Sequence, residues 1–247
     1  MIVCTVYNVW KIQCKDIAWQ NSDSMAVRMD EDPPSVNCTV RIDFFLKECK
    51  EKSDIVFAVD DSSSVFITSF KKVKSFIKRV LLPANIDSGD VRVGLLRFSD
   101  DVSVEFDLNT YTSKKELFRH VDSMQRAFGN TYTAEALRVM NEEMFNQSKG
   151  DRDNVQNIAI VVTDGRSIFL QETLARAKQA RQNGVHIFVI GVGDVSEDEI
   201  RGMASLPSME NAFTLEGYAQ LRRFKEDFFR FCKGKNYLQF YFIFVCR

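Results

Sequence analysis

Four short runs of apolar residues recur along the chain, separated by segments in which apolar residues repeat at helical spacing. The runs cover residues 55–59, 93–98, 158–162 and 187–190. Strands of a parallel sheet are covered by helices on both faces, so they read as continuous apolar runs. The pattern therefore predicts an α/β fold, with a three-layer, doubly wound and mostly parallel sheet. Residues 102–108, which follow a tight turn at 99–101, are predicted to form one antiparallel edge strand.

The intervening segments carry the signals of amphipathic helices. After the first run, apolar side chains repeat at helical spacing opposite a basic face, until Pro83 ends the pattern. The apolar members are Phe66, Phe70, Val73, Ile77 and Val80. Two Ser-x-x-Glu sequences, at 113–116 and 196–199, have the spacing of a capping box and predict further helix starts. The apolar stripe of a last helix, from Leu221 to Phe231, is expected to pack into the core.

The two ends of the chain differ from this central part. Residues 1–48 have no sustained period and contain an acidic, proline-rich stretch, so we expect an irregular arm with one strand at 39–44. Residues 49–232 have the length of one ordinary domain. Residues 233–247 are predicted to be a short apolar tail or an added strand, since the apolar stretch is too short to cross a bilayer as a helix.

Composition narrows the possible functions. The chain has a net charge of −1, which argues against nucleic-acid binding. It has only two histidines, which leaves few ligands for a zinc site. All six cysteines lie outside residues 54–231 and lack CxxC spacing, which favours disulfides in an oxidising, extracellular compartment. Asn37 and Asn146 begin glycosylation sequons, as in secreted proteins. The first residues, however, do not have the pattern of a signal peptide.

Polar side chains follow two of the apolar runs, at the points where the predicted strands end. The first run leads into 60–64, the third into 163–165, and the loop 129–133 precedes another helix between them. Ligands of doubly wound folds bind beyond the carboxyl ends of the strands, so these loops are expected to meet there. Together the three loops supply a candidate set of oxygen ligands, which consists of Asp60, Ser62, Ser64, Thr131 and Asp164. Two carboxylates and three neutral hydroxyls suit Mg²⁺ or Mn²⁺, and they leave a position for a carboxylate from outside.

This three-loop pattern resembles the metal-ion-dependent adhesion site of von Willebrand factor type A domains. The resemblance rests on Asp60-x-Ser62-x-Ser64, on Thr131 and on the Asp164-Gly165 turn, and it covers about residues 54–232. Segments 91–95, 98–101, 105–108 and 129–133 look like the type A modules of matrilins and non-fibrillar collagens. The resemblance implies a Rossmann-like fold in which all five side chains hold the metal, directly or through water.

The resemblance has further implications outside the five positions. It implies that the two ends of the domain lie close together, which would pair Cys49 with Cys232. The remaining cysteines, at 4, 14, 38 and 246, keep an open connectivity that includes bonds between chains of an oligomer. Asp61 and Ala134 stand where relatives often have glycine. We expect the Asp61 carboxylate to point to solvent, and Ala134 to affect only the start of its helix.

The predicted function is an extracellular adhesion or matrix-binding module whose metal coordinates a Glu or Asp of a protein partner. A structural matrix module that assembles through other faces, without metal, is the alternative. A metal-dependent hydrolase is a remote third, because no nucleophile and base are evident and Ser62 stands where aspartyl phosphatases require an aspartate. The basic face of the first helix is predicted to be an ordinary solvent-exposed surface rather than a binding site for sulphated glycans. The sequence 191–196 lacks the third glycine of a dinucleotide fingerprint and predicts a turn.

Overall fold

The computed structural model describes residues 52–223 and, in addition, the backbone of four strands nearer the ends of the chain. The chain divides into two compact units, Lys50–Cys232 and a second unit made of Met1–Cys49 with Lys233–Arg247. The predictions for Cys49, Cys232 and Asn37 concern residues outside the described ones.

The second unit contains two antiparallel strand pairs. Strand β1 (Val3–Asn8) pairs with β2 (Lys11–Lys15), and β3 (Cys38–Ile42) pairs with β10 (Phe242–Cys246). The register sets Cys4 opposite Cys14 and Cys38 opposite Cys246. Strand β3 overlaps the strand predicted at 39–44, whereas β1 and β2 lie in a segment for which the sequence predicts an irregular arm.

A six-stranded sheet forms the centre of the larger unit. Its strands are β4 (Ser53–Asp60), β5 (Val91–Phe98), β6 (Val102–Phe106), β7 (Gln156–Thr163), β8 (His186–Val192) and β9 (Ala212–Leu215). The spatial order is β6-β5-β4-β7-β8-β9, and β6 alone among these six runs antiparallel to its neighbour. The fold class is confirmed, because the four apolar runs form the four central strands and the predicted edge strand lies at the margin.

Helices cover both faces of this sheet. They are α1 (Ile67–Leu81), α2 (Lys114–Ser123), α3 (Thr133–Val139) with a π-helical continuation (Met140–Met144), α4 (Leu170–Gln182), α5 (Glu197–Met203) and α6 (Ser208–Asn211). Short 3₁₀ turns occupy Gln147–Lys149 and Tyr218–Arg223. The side chains of β4 alternate between two cores: Phe57 packs with α1 and α2, and Ala58 packs with α3 to α5. No helix in the described part of the chain is long and apolar enough to span a membrane.

The helix ends differ from the predictions in two places. Phe66 precedes the first residue of α1 and is 71% exposed, so it does not belong to the buried face. The helical period that predicts its burial does not yet apply at that position. Ser113 precedes α2 as expected but forms no side-chain cap, whereas Ser196 accepts a hydrogen bond from the amide of Glu199 at 3.4 Å. Leu221 is buried, and most of its predicted stripe lies outside the described residues.

At the amino-terminal edge of the sheet, Arg152 connects β4 to the loop before β5. Arg152 donates from Nη2 to the carboxylate of Asp54 at 2.7 Å and from Nη1 to the carbonyl of Gly89 at 2.8 Å. Asp54 is fully buried at the start of β4. Because a buried carboxylate without a partner is strongly unfavourable, this pair holds β4 against the loop that leads into β5.

Candidate metal centre

Asp60 is the last residue of β4 and lies at the carboxyl edge of the sheet, where it is 1% exposed. Its carboxylate accepts hydrogen bonds from the amide of Ser62 at 2.9 Å and from the hydroxyl of Thr163 at 2.6 Å. Burial raises the pKa of Asp60 from its usual 3.8 to about 6, although these two partners lower it and the charge of Asp164 raises it further. The carboxylate is thus held in one orientation in a place where its charge is poorly solvated, which favours a nearby cation.

Two serine hydroxyls connect this buried loop to Asp164. Ser62 Oγ lies 3.0 Å from Ser64 Oγ, and Ser64 Oγ donates to Asp164 Oδ1 at 2.5 Å. Ser62 is buried, Ser64 is exposed and Asp164 is half-buried. The oxygen atoms therefore run from the interior to the surface, as a site open to an external ligand requires.

The loop that carries Thr131 is anchored on both sides. Asn130 donates from its amide and its side chain to Asp100 Oδ1, at 3.0 and 2.7 Å, and the amide of Ile168 donates to the carbonyl of Thr131 at 3.3 Å. A Cβ added to Gly165 would lie 2.8 Å from Thr131 Oγ1. The Thr131 hydroxyl is therefore packed against the Asp164-Gly165 turn, and the structure brings all five predicted side chains to one edge.

The expectation for Asp61 is wrong. Its side chain is 1% exposed, forms an ion pair with Arg97 and accepts a hydrogen bond from the amide of Ala127 at 3.0 Å. Successive side chains at the end of a strand point to opposite faces, so Asp61 turns away from Asp60 and meets Arg97 on the neighbouring strand β5. Ala134 is buried in the first turn of α3.

Two side chains near the centre have no counterpart in the sequence predictions. Arg126 donates from Nη2 to the carbonyl of Ser62 at 2.9 Å, and its guanidinium lies 4.2 Å from the ring centre of Phe128. The pKa of the Tyr218 hydroxyl is raised, first by burial and then by the carboxylate of Asp164, with which it interacts, and by that of Asp60. Neither residue directly follows a strand of the predicted sheet, so position in the sequence gives no signal for them.

The donor set fits a hard divalent cation. Its carboxylates come from β4 and from the loop after β7, and its neutral oxygen atoms are the hydroxyls of the two serines and of Thr131. Within the part of the chain that the structure describes, no three His, Cys, Asp or Glu side chains cluster as a metal site. A metal at this centre would therefore be held by hydroxyl groups as well as by two carboxylates, and carboxylate and hydroxyl oxygens are ligands of Mg²⁺ and Mn²⁺.

A mostly parallel sheet between two helical layers, with acidic and hydroxyl side chains gathered at its carboxyl edge, is the architecture of von Willebrand factor type A domains. Residues 54–227 match the model of that family, so the chain belongs to it. The resemblance stated from the sequence is confirmed.

The relatives of the chain include matrilins and collagen VI chains. Matrilin-1 of Gallus gallus is 35% identical over 185 residues, which cover 73% of this chain and 37% of that protein. The collagen alpha-4(VI) chain of Mus musculus is 33% identical over 183 residues, 73% of this chain and 8% of that protein. Proximal thread matrix protein 1 from the mussel byssus has a similar fold, with a TM-score of 0.70, 24% identity and coverage of 75% of this chain and 48% of that one. The chain spans less than half the length of each.

Proposed function

We propose that this chain is an extracellular binding module that holds Mg²⁺ or Mn²⁺ and, through the metal, a Glu or Asp side chain of a protein partner. The observation that carries the proposal is the hydroxyl connection from Ser62 through Ser64 to Asp164, beside the buried carboxylate of Asp60. Thr131 completes the set from the third loop.

Each of the five side chains has a part in this function. Asp60 and Asp164 balance the double charge of the cation, and the hydroxyls of Ser62, Ser64 and Thr131 add neutral oxygen ligands, directly or through water. The bound cation supplies a Lewis acid for a carboxylate of the partner. Because Ser64 and Asp164 are accessible, the partner approaches from their side.

The relatives support an extracellular setting for this activity. Matrilins and collagen VI chains share the domain, and the mussel protein has been described with zinc in its metal-ion-dependent adhesion site. The site of that protein thus accepts a divalent ion, while the all-oxygen donor set of this chain favours Mg²⁺.

In the same extracellular setting, we propose a disulfide between Cys49 and Cys232. Asn146, which is exposed, is the proposed glycosylation site in the described region.

The proposal is tested by binding the 247-residue chain to a panel of immobilised extracellular-matrix proteins, with Mg²⁺ and with EDTA. We expect binding to at least one member to be lost in EDTA and in the Asp164→Ala variant. Asp101→Ala, which changes an exposed aspartate in the turn before β6, is the matched control and should bind normally. Binding that persists in EDTA and in Asp164→Ala would instead support a structural module that assembles without metal.

A further inference from the structure

Large apolar side chains are exposed within four residues of each of the three loops that form the candidate metal centre. Their exposed fractions range from 45% to 71%. We call this set the apolar rim, and its members are Phe66, Ile67, Phe128, Ile168 and Phe169. Single exposed apolar residues are normal on a protein surface, but a set gathered next to the loops of one site marks an interaction surface.

The remaining exposed large apolar side chains do not form a second set of this kind. Within residues 52–223, they are Leu170 at the start of α4, next to the rim, and Leu82, Val104, Leu206 and Met209. The last four belong to other parts of the domain, outside the three loops. The concentration of apolar side chains around the metal centre is therefore a local feature of that edge.

Backbone contacts join the three loops, so the side chains of the rim are next to segments that meet at one place. The amide of Ser63 donates to the carbonyl of Gly129 at 2.9 Å, which sets Phe128 beside the first loop. The amide of Ile168 donates to the carbonyl of Thr131, and the rings of Phe169 and Tyr132 lie 5.7 Å apart. The exposed apolar side chains therefore stand next to loops that meet at the candidate metal centre.

Two arginines add positive charge at the same edge. Arg126 stacks on Phe128 and donates to the carbonyl of Ser62, and Arg166 is exposed two residues after Asp164. With a divalent cation bound, the surroundings of the rim attract a negative charge. A purely apolar partner would leave this attraction unused.

From this combination we propose that the partner is a protein segment in which the coordinating Glu or Asp has large apolar side chains on both sides. The inference rests on the proposed function and deepens it. The acid binds the metal, and its apolar neighbours cover the exposed aromatic rings, which belong to the side-chain types enriched in protein interfaces. Apolar burial around the acid also excludes water and strengthens the charge interaction.

The test is an array of immobilised peptides with a central Glu flanked on both sides by Leu, Phe, Ser or Lys, probed with the labelled chain in Mg²⁺. We expect Leu- and Phe-flanked peptides to bind about tenfold more tightly than Ser-flanked ones. In the double variant Phe128→Ser with Phe169→Ser this preference should disappear. Leu206→Ser with Met209→Ser is the matched control, because both residues are highly exposed and lie outside the three loops, and it should retain the preference.

The possible outcomes distinguish the rim from the metal function. Binding that requires the central Glu and Mg²⁺ but ignores the flanking residues overturns the rim inference and leaves the metal function standing. Equal binding to a central Gln, or in EDTA, counts against both. If no peptide binds, the proposed partner is wrong. Rim-dependent self-association in sedimentation velocity, or rim-dependent attachment to phosphatidylserine vesicles, would then identify a different occupant.

Discussion

Asp60 ends β4 with a carboxylate that is buried and receives two hydrogen bonds, and its pKa is raised to about 6. Without a cation the ionised form is therefore disfavoured, and a bound cation removes that penalty. We therefore expect stability and metal binding to be coupled at this one side chain.

In EDTA, replacing Asp60 by Asn should stabilise the chain. The pKa of the Asp60 carboxyl is about 6 in the folded chain, against 3.8 for an ordinary aspartate in the unfolded chain. The stability that comes from the protonated carboxyl is therefore fully present below about pH 4 and is lost as the pH rises through about 6. At pH 7 in EDTA we expect Asp60→Asn to raise the free energy of unfolding by about 1 to 3 kcal/mol. Urea unfolding at about pH 7 and about pH 4.5 measures this, and the gain should shrink at the lower pH. A loss of stability at neutral pH would contradict the prediction.

Gly165 tests the position of Thr131. A methyl group there would lie 2.8 Å from Thr131 Oγ1, so the hydroxyl has to move. We expect Gly165→Ala to weaken Mg²⁺ binding about tenfold in calorimetry. Gly217→Ala is the control, because its added Cβ would meet nothing within 4 Å. Equal affinities for the two variants would show that Thr131 is not a ligand.

Among the secondary-structure elements, a chain of charged groups links β5, β6 and α2 to the loop 60–64. Arg97 on β5 pairs with Asp61 and, through Nε, donates to Glu105 on β6 at 2.7 Å. Glu105 in turn lies 3.0 Å from Nε2 of His120 on α2. Asp61, in the loop directly after Asp60, is therefore held by Arg97, which is itself held by Glu105 and, through Glu105, connected to His120.

Removing the arginine should be costly because Asp61 would remain buried without its ion-pair partner. We expect Arg97→Met to lower the free energy of unfolding by about 3 to 5 kcal/mol. The double variant Asp61→Asn with Arg97→Met removes the buried charge and should recover a large part of the loss. Urea denaturation of both variants gives the comparison, and a single variant as stable as the wild type would refute a structural role for the Asp61–Arg97 pair.

Across the whole domain, the amino-terminal and carboxyl edges of the sheet differ in what they expose. The amino-terminal edge is closed by the part-buried Arg152–Asp54 pair, whereas the carboxyl edge presents oxygen atoms to the outside. Parallel strands bring their carboxyl ends to one edge, so a fold of this kind collects side chains from distant parts of the sequence.

The same rule explains what could be predicted from the sequence. The strands were predictable because buried parallel strands are continuous apolar runs, and Asp60 and Asp164 because they directly follow such runs. Asp61 was misjudged, since its partner Arg97 is a neighbour only through the pairing of β4 with β5. The contacts of Arg126 and Tyr218 depend likewise on loop conformation, which no periodicity specifies.

Calorimetric titration of the 247-residue chain with Mg²⁺ tests directly whether the carboxyl edge of the sheet holds a metal. The wild type is compared with the Asp164→Ala variant and with the Asp101→Ala control. We expect one binding site per chain, kept by the control and weakened about tenfold or more in Asp164→Ala. Equal Mg²⁺ affinity in all three proteins, or no binding to the wild type at millimolar Mg²⁺, would contradict the proposed metal centre.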